Sequence, residues 1–413
     1  MSGTRPSQVV VITDFASVRG GASKLAMLQT GLLSARGVPV TVFAGDEGGE
    51  MPEGATLVSL GGQRLLEQGK IAAALGGLWN GPALAALRDW IAAHDDRRTV
   101  YHVHGIQQTL SPSVLRALQP VRERVALHAH DYFLSCPNGA FFDFRSRTSC
   151  TRTALSPACI LRNCDKRSYA QKLWRVTRQG LQDRETGRLF ASAVTILIHA
   201  GMEPRLAAGK RLGNTVALPN PAEPLLPSPA DPAANAEFLY VGDIHAYKGV
   251  FLLAEAARRA RVPLRLLGDG LDRERLAAAY PEHHFDGWAD REMLAARMRQ
   301  ARALVAPTLG PEPYGLAPVE ALMAGVPVVI SDSMLLSADI DRCGAGVSFA
   351  AGDAESLAGA LRTLAGDDDA LRRMSGQTAA AAAEITTTPE AWCDSLLDIY
   401  GGLLDAASAK RTG

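Results

Sequence analysis

The sequence predicts an α/β protein of two Rossmann-like domains facing each other across a cleft. Three observations carry this. Short apolar runs alternate with helical patterns, as parallel strands and their crossover helices do. The alternation stops in a proline-rich stretch near the middle and then starts afresh. The length, 413 residues, suits two domains of ordinary size.

Val9-Val10-Val11-Ile12 reads as a strand buried on both faces. A Gly20-Gly21 turn leads into a helix from about Ala22 to Ala35. Leu25, Leu28, Leu32 and Leu33 share one side of it, and Gly37 suits its C-cap. Val38 to Phe43 is the next strand, followed by Val100 to Val103, Arg124 to His128 and Val194 to Ile198. Pro219, Pro221, Pro224, Pro227, Pro229 and Pro232 mark a linker or covering loop. Beyond it, Phe238 to Val241, Leu264 to Leu267, Ala303 to Ala306 and Val326 to Ile330 are strands, and Gly249 to Arg259 is a helix. The last helix opens with Thr388 as N-cap, Pro389 at its first position and Glu390 in its first turn. Its stripe of Trp392, Leu396, Leu397, Ile399 and Tyr400 must pack on something, either the second domain or, crossing back, the first. The expected layout is an N-terminal domain over 1–218, a linker over 219–236, a second domain over 237–387 and a terminal helix over 388–413.

A formal net charge of zero disfavours a general nucleic-acid binder. No apolar run approaches the roughly 18 residues that span a bilayer, and Val9 to Ile12 is too short for a signal-peptide core. A cytoplasmic protein, possible at the inner face of a membrane, is the expectation. Six cysteines over this length are no disulfide scaffold.

The chemistry concentrates in Glu312-Pro313-Tyr314-Gly315-Leu316-Ala317-Pro318-Val319-Glu320. The run ends a strand and opens a helix, with Pro318 in the first turn. Backbone N–H groups around Tyr314 to Ala317 would be free to meet a phosphate. Glu312 and Glu320 can then face one ligand, and carboxylates accept hydrogen bonds from sugar hydroxyls at roughly 1.5–3 kcal/mol each.

This run resembles the glutamate–seven residues–glutamate motif of family 4 retaining glycosyltransferases, which have the GT-B fold. Val241-Gly242-Asp243-Ile244-His245-Ala246-Tyr247-Lys248-Gly249 is similar to that family's diphosphate loop. Leu266-Leu267-Gly268-Asp269-Gly270 and Phe285-Asp286-Gly287-Trp288 match further segments in the right order. The resemblance implies that Glu312 binds the donor sugar near its reacting end, Glu320 the ribose, and Lys248 the diphosphate leaving group. It places Gly242, Gly268, Gly287, Trp288, Tyr314, Gly315 and Leu316 around the donor as well. Gly20 and Gly21 resemble the family's glycine loop, and His130 a histidine beside the donor sugar and acceptor. One departure stands out. The family usually has arginine where this chain has Asp243, and His245 or Arg291 would have to substitute for it.

His102-Val103-His104-Gly105 and His128-Ala129-His130-Asp131 each follow a strand, at the end that meets the ligand crevice. His130 is expected to face it, His104 to face either it or the core, and His102 and His128 to point elsewhere. Cys136, Cys150, Cys159 and Cys164 follow closely. Four thiolates suit a tetrahedral zinc ion, but their spacing contains no Cys-x-x-Cys pair, and disulfides or free buried thiols are alternatives. They lie in a basic insertion, about 136–188. From Arg145 to Arg188 there are eleven Lys/Arg against three Asp/Glu, with Tyr169, Leu173, Trp174 and Val176 between them. This suits an anionic lipid surface or acceptor, or a solvated helix face. Asp339-Ile340-Asp341 has the form of a metal-binding triplet but lies late in the chain, so a metal-independent donor site is expected.

The implied function is a retaining hexosyl-type transferase. It moves a sugar from a UDP- or GDP-linked donor to a glycan or glycolipid acceptor, in cell-surface polysaccharide or glycolipid synthesis. A nucleotide-sugar epimerase or hydrolase of the same fold, or a non-catalytic binding protein, are the alternatives.

Overall fold

The computed structural model describes residues 4–65 and 67–412. The expected domain ranges also include residues 1–3, 66 and 413, which lie outside the described residues. The first stretch of chain runs β1 (Gln8–Thr13), α1 (Gly21–Ala35), β2 (Val40–Ala44), β3 (Ala55–Ser59), α2 (Lys70–Leu78), α3 (Gly81–His94) and β4 (Thr99–Val103). Then come α4 (Ser113–Ala117), β5 (Val125–Ala129), a short hairpin of β6 (Phe142–Asp143) and β7 (Thr148–Ser149), α5 (Pro157–Leu161) and α6 (Tyr169–Leu189). β8 (Val194–Leu197), α7 (Glu203–Leu206) and β9 (Asn214–Ala217) follow. After the proline-rich stretch come β10 (Glu237–Val241), α8 (Val250–Ala260), β11 (Leu264–Leu267), α9 (Arg273–Ala279), β12 (His284–Gly287), α10 (Arg291–Arg299) and β13 (Ala301–Ala306). The chain ends with α11 (Leu316–Met323), β14 (Val328–Ser331), α12 (Leu336–Cys343), β15 (Gly346–Phe349), α13 (Ala354–Gly366), α14 (Asp368–Ile385) and α15 (Pro389–Thr412).

Two compact units result. Unit 1 comprises Met1–Gly139, Arg152–Asn220 and Pro389–Gly413, and unit 2 comprises Ala140–Thr151 and Pro221–Thr388. The structure corrects one expectation here. The basic insertion does not fall whole within the first unit, because Ala140–Thr151 belongs to the second. The hairpin packs there through its own side chains. The Phe144 ring meets Tyr247 edge-on at 5.8 Å, and Ser149 Oγ donates to the Leu309 carbonyl at 3.5 Å. The proline-rich stretch is a covering loop of unit 2 rather than a free tether. Pro221 bridges Thr387, and the Ala230 N–H donates to the Ala324 carbonyl.

Unit 1 is a seven-stranded sheet in the order β3-β2-β1-β4-β5-β8-β9, and unit 2 a six-stranded sheet in the order β12-β11-β10-β13-β14-β15. All pairings within the two sheets are parallel. Parallel strands with helices on both faces must be apolar throughout, and Val9 to Ile12 are fully buried as that requires. In each sheet the order reverses at its first strand, between β1 and β4 in unit 1 and between β10 and β13 in unit 2. A crevice at the carboxyl ends of the strands follows from that reversal.

Helix α15 belongs to unit 1. Trp392, Leu396, Tyr400, Leu403 and Leu404 pack with Leu25, Leu33, Val40 and Val42 in one core. Its apolar stripe is thus consumed by the sheet face that α1 also covers.

Candidate functional site

A pocket of about 350 Å³ opens at the switch point of unit 2. Tyr240 to Asp243 from the end of β10, Leu304 to Thr308 from the end of β13, and the loop and first turn of α11 line it. Gly315 caps α11 with φ +109, a conformation that a side chain rarely adopts, and no side chain caps the helix. The first N–H groups of α11 therefore lack helical partners where Leu316 and Ala317 line the pocket. Pro318, which has no N–H, costs the helix nothing in that turn.

Lys248 and Glu312 meet inside this pocket. Lys248 Nζ donates to both carboxylate oxygens of Glu312, at 2.9 and 2.8 Å, and Thr308 Oγ1 donates to Oε2 at 3.0 Å. Both partners are about a quarter exposed, at 23% and 26%. Burial acts to lower the Lys248 ammonium. The adjacent Glu312 carboxylate outweighs it, with smaller contributions from Tyr247 and Asp243, so the group stands above its ordinary value. Lys248 is carried on a single turn that ends at Gly249. A side chain there would place its Cβ 1.8 Å from the Pro307 carbonyl oxygen, and φ is +79. Glycine is thus what lets the Lys248 turn lie against the end of β13.

The other anticipated donor residues divide. Gly242, Gly315, Leu316 and Glu320 line the pocket with Lys248 and Glu312. Gly268 and Gly287 sit beside them at the ends of β11 and β12, the Gly268 N–H donating to the Gly287 carbonyl at 2.7 Å. Trp288 follows, 77% exposed. Tyr314 turns away. Its ring is buried and its hydroxyl donates to the Ile385 carbonyl at 2.6 Å, so its side chain anchors the α11 loop instead of lining the pocket. Asp243 lines the pocket with its side chain exposed. Neither substitute for the missing arginine reaches it: His245 stacks on Tyr247, and Arg291 donates to the Pro224 carbonyl at 3.0 Å. The triplet at Asp339 to Asp341 lies within α12, where Asp341 accepts from the Ser348 N–H and hydroxyl. Thr308 is the pocket residue that sequence reasoning passed over. The signal was its place at a strand end four residues before Glu312.

Unit 1 has a smaller pocket, about 60 Å³, at the ends of β4 and β5. Ala22, just after the exposed Gly20-Gly21 turn, lines it with His104, His128, His130 and Asp131. Against the expectation, His128 lines the pocket, whereas His102, fully buried, does not. Residues two apart in a strand share a face, and all four imidazoles lie together, with His102 on His104 at 4.5 Å and His128 on His130 at 4.3 Å between ring centroids. Burial lowers His130 to about 4. Burial also raises Asp131 to about 6, against a hydrogen bond from the Phe133 N–H that acts the other way.

Cys136, Cys159 and Cys164 are buried in unit 1, and Cys150 is buried in the unit 2 hairpin. Asn138 Nδ2 donates to Cys164 Sγ at 3.5 Å, and the fully buried Lys172 donates from Nζ to Cys159 Sγ at 3.4 Å. Burial acts to lower Lys172, but Cys159 and Cys164 outweigh it and the ammonium stands above its ordinary value. The basic run is only partly a surface. Arg175 pairs with buried Asp165 at 3.0 Å, and Arg178 donates to the Gly77 carbonyl at 2.9 Å. Lys166 and Arg167 are exposed beside Leu161, Tyr169 and Leu173. Among the described residues no helix is long and apolar enough to cross a membrane.

Residues 235–367 match the family described as Glycosyl transferases group 1. A glycogen synthase of Mycobacterium tuberculosis is 34% identical over 149 residues, which is 33% of this chain and 36% of that protein. The chain thus matches about a third of the length of that curated relative. Among solved structures, sucrose-phosphate synthase from Thermosynechococcus elongatus aligns with a TM-score of 0.71 at 17% identity, over 97% of this chain and 100% of that one. HepE of Anabaena, solved in complex with UDP, aligns with a TM-score of 0.66 at 15% identity, over 96% and 100%. The second unit therefore carries a glycosyl transferases group 1 domain, and the chain as a whole has the two-Rossmann GT-B fold of these neighbours.

Proposed function

We propose that the chain is a retaining glycosyltransferase that uses a UDP- or GDP-linked sugar. The observation that carries this is the Lys248–Glu312 pair, held in one pocket with Glu320 and the open start of α11. A diphosphate leaving group gathers negative charge as the sugar departs. A cation and free N–H groups at that point stabilise the transition state more than the ground state. Glu312 and Glu320 accept hydrogen bonds from sugar and ribose hydroxyls. Donor entry asks Lys248 to exchange part of its bond to Glu312 for phosphate oxygens. Unit 1 binds the acceptor, a glycan or glycolipid of cell-surface synthesis, with His130 at its pocket.

Retention is read as attack from the side the diphosphate leaves, with the diphosphate taking the acceptor's proton. Exposed Leu161, Tyr169 and Leu173 beside Lys166 and Arg167 suit peripheral contact with an anionic leaflet at the cytoplasmic face. A structural zinc on cysteines of the group from Cys136 to Cys164 would add no step to the transfer. Metal content of the purified protein tests that point.

A thermal-shift screen over UDP- and GDP-sugars tests the donor, since a ligand bound at one hundred times its Kd stabilises the fold by about 2.7 kcal/mol. The anomeric configuration of the transferred sugar, read by NMR, then tests retention. No stabilisation by any nucleotide sugar would sink the reading. Asp243, exposed in the same pocket, is the observation that favours a non-catalytic nucleotide-sugar-binding protein, and binding without turnover would decide for it.

A further inference from the structure

The four histidines do not stand side by side independently. They belong to one hydrogen-bonded chain in which every link has the same direction. Gln29 of α1 fixes that direction. Its amide Nε2 donates to the Tyr400 hydroxyl at 2.8 Å, and its Oε1 accepts from His104 Nε2 at 2.8 Å. His104 therefore carries its proton on Nε2, so its Nδ1 is a lone pair that accepts from His130 Nε2 at 2.9 Å. On the other side, the Tyr400 hydroxyl has accepted from Gln29, so its own proton goes to His102 Nδ1 at 2.6 Å. His102 must then donate from Nε2 to His128 Nδ1 at 3.1 Å. An amide does not readily pass a proton on through its carbonyl oxygen, so the chain holds tautomers in place and is no proton wire.

We propose that Gln29 is a positioning residue that fixes His130 as the Nε2–H tautomer, leaving its Nδ1 lone pair as the acceptor offered to a hydroxyl-bearing ligand. Tyr400 carries the same polarity on to His102 and His128. This rests on the reading of His130 as a site residue. Among the described residues nothing engages His130 Nδ1, which leaves that nitrogen open to a ligand, while at the far end of the chain this polarity leaves the buried His128 Nε2–H without a partner. Burial keeps all four imidazoles neutral near pH 7, so each has one donor and one acceptor to assign. Turning the Gln29 amide over would reverse every link, so a single side chain decides whether His130 accepts or donates at Nδ1.

The test reads the tautomer directly. Long-range ¹H–¹⁵N spectra of the ¹⁵N-histidine-labelled full chain at pH 7, with His130 assigned by its loss in His130→Asn, separate Nδ1–H, Nε2–H and imidazolium forms. The wild type should show His130 as Nε2–H. Gln29→Leu should give a mixture at His130. Tyr400→Phe should keep the wild-type tautomer at His130, because Gln29 Nε2 still reaches His102 Nδ1 at 3.1 Å. With UDP-glucose and GDP-mannose as probe donors, Gln29→Leu should lower kcat about tenfold or more with KM nearly unchanged.

Three results would overturn the proposal. They are His130 seen as Nδ1–H or imidazolium in the wild type, an unchanged pure Nε2–H signal in Gln29→Leu, and a metal ion retained on His102, His104 and His128, whose nitrogens then could not carry these bonds. Because the spectra need no substrate, an inactive wild type would count against the transferase reading and leave this test intact.

Discussion

Lys248→Met removes a cation while keeping most of the side chain's volume, and among the described residues it leaves the Glu312 carboxylate with Thr308 as its hydrogen-bond partner. Lys248 makes two charged hydrogen bonds to Glu312, at 2.9 and 2.8 Å. Breaking a fully buried pair costs about 3–5 kcal/mol. Both side chains are about a quarter exposed, at 23% and 26%, so water recovers part of that. A loss of about 2 kcal/mol is expected, which for a unit of this size lowers Tm by about 4–8 °C. The Lys248 ammonium stands above its ordinary value, so its contribution is fully present at neutral pH and disappears only as pH rises through the folded value. The assay is calorimetric unfolding at pH 7 of Lys248→Met, Glu312→Gln and the double variant. The double variant leaves no unpaired charge and should recover most of the loss. If instead it loses the sum of the two single changes, the pair is not coupled and the electrostatic reasoning fails. Turnover should behave otherwise. The double variant should stay at least tenfold below wild type with any accepted donor, since 1.36 kcal/mol of transition-state stabilisation is a factor of ten.

Thr308→Val removes the hydroxyl that donates to Glu312 Oε2 and should cost about 1 kcal/mol, read as a several-fold lower kcat/KM with Tm down by a few degrees. Gly249→Ala should destabilise by more than 3 kcal/mol or prevent soluble expression, because the new Cβ would overlap the Pro307 oxygen; a wild-type melting curve would refute the close approach. Four imidazoles that burial holds below their ordinary value bind fewer protons folded than unfolded, so stability should fall as pH drops from about 6.5 towards 4. Asp131, raised to about 6, works in the opposite direction over the same window. Melting temperature against pH should therefore be shallower in His102→Gln, and at pH 7 Asp131→Asn should melt higher than wild type.

Strands buried on both faces announce themselves, which is why β1 and β10 were readable from runs such as Val9 to Ile12. Edge and near-edge strands were not. Ala55 to Ser59 is only partly buried, and His284 to Gly287 opens on an exposed histidine, so neither pattern stands apart from loop. The donor pocket was readable because its residues cluster in two short segments whose ends the fold must bring together. Tyr314 misled because a motif gives the position of a residue and not the direction of its ring. The histidine chain was hidden for a different reason. Gln29 and Tyr400 are 371 positions apart in the sequence, and no local spacing links an amide in the first helix to a phenol in the last.

That last helix has a consequence for how the protein is made. Unit 1 needs Trp392, Leu396 and Tyr400 to cover the face formed by Leu33, Val40 and Val42. A ribosome delivers residues 1–220 first, then residues 221–388, which complete unit 2, and only afterwards residues 389–412. Unit 2 can close on itself while unit 1 still waits with an open apolar face. The second half of the chain should thus be the first to reach its native form, and a fragment ending near Asn220 should need a chaperone or a supplied 389–412 peptide to stay in solution.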